Sequence, residues 1–115
     1  VPKGASEKDR RYQRIPTPQG IWVAWQDGVQ QSVSRVRDLN VGGLFVCAPK
    51  PSPLGTTVTI LLSVPEGEIR GKAAVRNVIV GQGMGIEIVN MEAQDATRLR
   101  QLIARLLGSG ADNTK

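Results

Sequence analysis

The sequence predicts a mainly β domain, a small antiparallel barrel or sandwich of six strands with one C-terminal helix. Three observations carry that expectation. Six runs rich in β-branched and apolar residues follow one another between residues 21 and 89, each bounded by Gly, Pro or polar turn residues. Within one of them, Gln31 to Asp38, apolar and polar residues alternate with the period of a half-wet strand. Beyond residue 92 the spacing changes to three and four, through Leu99, Leu102, Ile103, Leu106 and Leu107.

Residues 1–14 carry Lys3, Lys8, Arg10, Arg11 and Arg14 against Glu7 and Asp9, a net +3 with almost no apolar content, which predicts a mobile basic arm over residues 1–9. Pro16-Thr17-Pro18 then enforces an extended path into Ile21-Trp22-Val23-Ala24-Trp25. Trp22 and Trp25 are three apart, so on a strand they point to opposite faces, one to the core and one outward. Asp27-Gly28 is a turn signal, and in the following run Arg35 and Arg37 share the polar face. Leu44 to Ala48 is the third strand. The segment from Pro49 to Gly55 holds too many prolines to pair, and is expected to be a surface loop. Thr56 to Val64 and Glu68 to Val80 are strands around the Pro65-Glu66-Gly67 turn, and Gly85 to Val89 is the sixth. The helix is expected from about Glu92 to Leu107, its apolar stripe covering one mouth or side of the sheet or forming a dimer contact. Gly108-Ser109-Gly110 is expected to end it, leaving residues 108–115 as a disordered tail after a single domain over 10–107.

Composition removes several classes of function. With 115 residues, 40% hydrophobic and 22% charged, the chain has the make-up of one globular domain and no apolar run long enough for a membrane span. It contains no His, which removes the usual general base, the imidazole-dependent triads and most zinc sites. An enzyme is therefore not expected, nor a metal or cofactor. The single cysteine, Cys47, lies in an apolar run and reads as a small buried hydrophobe. The chain begins at Val1 without Met, as an excised piece of a longer protein would. A net charge of +5 favours an anionic partner.

The stretch richest in recognition chemistry is Asp38-Leu39-Asn40-Val41-Gly42-Gly43, between two strands. Asp38 can accept from the N–H edge of a base, and the Asn40 amide can donate and accept. Gly42 and Gly43 are expected to take φ > 0 or to let a flat ligand approach the main chain. Taken alone, the stretch also reads as a polar hairpin turn.

Together with R-x-x-x-R in the arm (Arg10 to Arg14), D-x-N-x-x-G from Asp38 to Gly43, six strands, the Gly83-Met84-Gly85-Ile86-Glu87-Ile88 run and the closing helix, the chain resembles the PilZ domain family over about residues 10–107. The resemblance implies a six-stranded barrel in the bacterial cytoplasm that binds cyclic di-GMP, as a monomer or a stacked dimer, with the arm folding over the nucleotide. Ligand contacts then fall to Arg10, Arg14, Asp38 and Gly43, with Arg11, Asn40 and Gly42 beside them. Asn40 departs from the Ser that the family usually has. The chemistry suits that ligand: Arg forks match phosphate oxygens and the O6/N7 edge of guanine, and a carboxylate matches guanine N1 and N2 donors.

Two other readings compete. A nucleotide-free member of the family would serve as an adaptor for a protein partner or attached domain in motility or pilus systems. A basic barrel could also bind nucleic acid, but few aromatic residues are available for stacking bases, which argues against it.

Overall fold

The computed structural model describes residues 15–17 and 20–113. Seven strands and one helix follow in order: β1 (Ile15–Pro16), β2 (Trp22–Gln26), β3 (Gln31–Asn40), β4 (Gly43–Cys47), β5 (Thr57–Val64), β6 (Gly67–Ile79), β7 (Gly83–Asn90) and α1 (Ala93–Asn113). All pairings are antiparallel. Strands β3-β2-β5-β6-β7-β4 form a ring that the β3–β4 pairing closes, so the structure is a barrel and not a sandwich. The six expected strands are its six staves. The two-residue β1 was not expected, since Pro16 read only as an extended entry; with Pro16 at the edge, its missing N–H costs no ladder bond.

Alternation sorts the side chains. Val23, Val36, Leu39, Val46, Val58, Ile69 and Met84 are fully buried, while Trp22 is half exposed and Trp25 is buried. Val33 lies on the wet face, and Ser34 turns inward to accept a hydrogen bond from Trp25 Nε1 at 3.0 Å. Ser34→Ala leaves that indole N–H without its acceptor, and we expect a loss of about 1–2 kcal/mol in urea unfolding. Cys47 departs from expectation: it shares the outward parity of Phe45 at the end of β4 and is half-buried.

Asp27 ties the β2–β3 turn to the proline-rich loop. Its Oδ1 accepts from Val29 N and Gln30 N at 2.9 and 2.8 Å, and its Oδ2 from the buried Ser52 hydroxyl at 2.6 Å. Gly28 completes the turn at φ +92°. These donors, the Gln30 N–H foremost and then the Ser52 hydroxyl, lower the carboxyl from 3.8 to about 2. The folded state therefore gains stability from Asp27 in full above about pH 4, and loses it as the pH falls through about 2. Melting temperatures taken from pH 5 down to 2 should fall, and fall less for Asp27→Asn.

Helix α1 closes the barrel through Leu99, Leu102, Ile103 and Leu106, packs on β6 and touches β1. Leu107, expected in the stripe, is 56% exposed. Arg105 grips Glu66 at 2.5 and 3.3 Å, holding the Glu66 carboxyl below its usual range, and Arg98 Nη1 donates to Glu68 O at 3.0 Å. At the helix start, the buried Asp95 accepts from Arg70 N at 2.9 Å. The helix does not stop at Gly108-Ser109-Gly110 but runs to Asn113. A glycine stop uses the left-handed region, which Gly108 does not adopt, and a helical glycine costs only about 1 kcal/mol. Among the described residues no helix is long and apolar enough to cross a membrane.

Candidate functional site

Strand β3 changes partner along its length. Residues Gln31 to Arg35 pair with β2, while Val36 to Asn40 pair with β4. Between Val36 and Asp38 the register slips, because Arg37 is an extra residue opposite the Val46-Phe45 step. Thr17 braces this bulge: its N–H donates to Arg37 O at 3.1 Å and its hydroxyl to Val36 O.

The slip decides where Asp38 points. Val36 and Leu39 both enter the core, so the two residues between them, Arg37 and Asp38, both face outward. Arg37 Nε donates to Asp38 Oδ2 at 2.8 Å, and its guanidinium lies 3.8 Å above the Phe45 ring. Phe45 is buried yet lies outside the core cluster, since the alternation of β4 sends Leu44 and Val46 inward and Phe45 out. The outer wall thus carries a carboxylate beside a cation stacked on a ring.

Asn40 and the glycines form the adjoining turn. Asn40 Oδ1 accepts from Gly42 N at 2.8 Å and Gly43 N at 2.9 Å, an Asx turn that closes the β3–β4 hairpin. The expectation of φ > 0 fails for both glycines. Gly43 is needed for a different reason: a Cβ there would stand 2.1 Å from Ile86 O on β7. Glu87 pairs with Gly43, and its carboxylate holds Arg76 at 2.7 Å on the same outer wall.

The structure therefore brings Asp38, Asn40, Gly42 and Gly43 together. Arg10, Arg11 and Arg14 lie outside the described residues. Sequence reasoning missed the Arg37–Phe45 pair, which no motif marks, because alternation separates neighbours that a bulge puts side by side.

A closed six-stave barrel with a helix over its end and a D-x-N-x-x-G hairpin on its outer wall defines a small β-barrel module. The chain belongs to the PilZ domain family, whose pattern matches residues 8–105. No curated protein matches it. Among solved structures it is similar to the PilZ domain of YcgR from Escherichia coli with c-di-GMP, at TM-score 0.67 and 20% identity over 91% of this chain and 96% of that one. It is similar also to apo MrkH of K. pneumonia (TM-score 0.73, 16% identity, 89% of this chain and 52% of that). A third is the Bacillus subtilis inhibitor of motility MotI (TM-score 0.69, 21% identity, 85% and 52%). The chain spans about half the length of the last two.

Proposed function

We propose that this chain is a non-enzymatic receptor for cyclic di-GMP, which it takes on the outer wall beside Asp38. The observation that carries this reading is a register: Ile15 pairs with Leu39, and Pro16 with Asp38. Arg14 is one peptide bond from Ile15, and Arg10 four residues earlier, so at about 3.4 Å per residue both are within reach of the Asp38 wall. Arg10 and Arg14 take phosphate oxygens or guanine O6/N7 edges, with Arg11 adding a phosphate contact. Asp38 accepts from guanine N1 and N2, and Arg37 on Phe45 offers a flat cation for a base to stack on. Asn40 holds the turn, work that a hydroxyl at that position would also do.

Fixing five arm residues costs roughly 5–10 kcal/mol, and each charge-assisted hydrogen bond returns about 1.5–3. One contact does not hold the arm; four or more do. Ligand binding then orders the arm over the barrel, and that ordered surface is the output read in the bacterial cytoplasm by a protein partner or neighbouring domain. That the PilZ domain of YcgR and MrkH were solved with c-di-GMP supports the ligand class.

Isothermal titration with cyclic di-GMP and with GTP tests the reading. Heat with the first alone, lost in Arg14→Ala, supports it, and the fitted stoichiometry separates a single nucleotide from a stacked pair. No heat and no thermal shift at high ligand would overturn it in favour of a nucleotide-free adaptor.

A further inference from the structure

The next arc of the ring, β2 and β5 with the first half of β3, carries a second feature with no part in the dinucleotide site. Its outer face presents Trp22, 50% exposed, and Val33, 63% exposed, beside half-buried Ala24 and Leu61. Register makes these one patch: Ala24 pairs with Val33 on one side and with Leu61 on the other. A shallow groove of about 640 Å³ runs along it, between Gln26 and Thr59 at one end and Arg70 at its rim. Contiguous apolar surface centred on Ala24 and flanked by an exposed Trp has the composition of an interface core.

The surroundings are basic. Arg35 pairs with Trp22, Arg70 with Leu61, and Lys72 with Thr59. Arg70 holds Glu68 at 2.6 Å, whereas Arg35 and Lys72 make no ion pair with any described residue. Strand addition is closed to a visitor, because β2 is hydrogen-bonded on both sides, to β3 and β5. A partner must therefore engage side chains. A second copy stacked symmetrically on this face would set the same cations against themselves.

We infer that this face docks an acidic segment of a partner protein, one apolar side chain seated in the groove between Val33 and Leu61 and carboxylates paired to Arg35, Arg70 and Lys72. This site is separate from the dinucleotide wall and does not depend on it.

The test is selection of a random dodecapeptide phage library on the immobilised protein, with Val33→Glu as the counter-target. Position 33 is exposed, so this variant should melt as wild type does, and its cyclic di-GMP titration should match wild type whatever that titration shows. The expected result is enrichment of net-acidic peptides around one large apolar residue. Their affinity should fall at least about tenfold in Val33→Glu. It should also fall steeply between about 50 and 300 mM salt. Neutral or basic peptides, no enrichment, or equal binding by Val33→Glu would overturn the inference. So would a wild-type dimer in sedimentation equilibrium that Val33→Glu dissociates, which would assign the face to a second copy.

Discussion

Asp38→Ala is expected to weaken cyclic di-GMP binding by about a hundredfold or more while leaving the protein folded. A carboxylate that accepts two hydrogen bonds from one guanine contributes about 3 kcal/mol or more, and 1.4 kcal/mol is a factor of ten. The cost to the free protein is small by comparison. Asp38 is buried and paired with Arg37, whose side chain is 45% exposed, and releasing that cation, which water already reaches, costs about 1 kcal/mol for this pair. Asp38→Asn keeps the shape but places an NH₂ where two donors arrive, so it should be nearly as weak. Titration and thermal melts of the same preparations check both. A variant that binds as wild type does would remove Asp38 from the site; one that loses binding and melting temperature together would make it a structural residue.

Gly43→Ala is expected to cost about 3 kcal/mol or more of folding stability, the upper range of overpacking effects. Its added Cβ would meet Ile86 O at 2.1 Å and Glu87 Cα at 3.1 Å, and both belong to backbone that no rotamer change can move. Gly83 repeats the arrangement at the other end of the same strand pair, with Val46 O at 2.1 Å. Against a total stability of about 5–15 kcal/mol, the loss at either glycine is large. Gly42→Ala is the control. Its Cβ would lie 3.4 Å from Asn40 Oδ1 at an ordinary φ, so the effect should stay within about 0.5 kcal/mol. Urea unfolding of the two variants separates a glycine needed for strand contact from one that clears room for a ligand. Equal stabilities with binding lost only in Gly43→Ala would favour the second role.

The same glycines show where sequence reasoning runs out. That the chain turns between Asn40 and Gly43 is a local property, written in Asn and Gly and read correctly, although the turn is shorter than expected and Asp38 and Leu39 belong to β3. Whether a glycine is there for φ or for a close neighbour depends on β7, more than forty residues away, and nothing nearby records it. The six staves were legible because each apolar run ends at Gly, Pro, Asp or Asn, and the helix because its period changes. The bulge at Arg37 was not, since a slip of one residue leaves no mark in residue type. It is nevertheless what sets Arg37 beside Asp38 and over Phe45. The helix end was misjudged because glycine permits a stop without enforcing one.

Closure of the ring has a mechanical consequence. Every stave has a neighbour on both sides, and the end of β3 that β2 does not reach is taken by β1, so the wall cannot slide in register without breaking whole ladders at once. It behaves as a stiff bearing. Compliance is left to the elements outside the ring, β1, held by two residues and Thr17, and α1, which touches it. A pull on β1 therefore meets α1 at the rim, and through Leu99, Leu102, Ile103 and Leu106 it is felt at the end of the core.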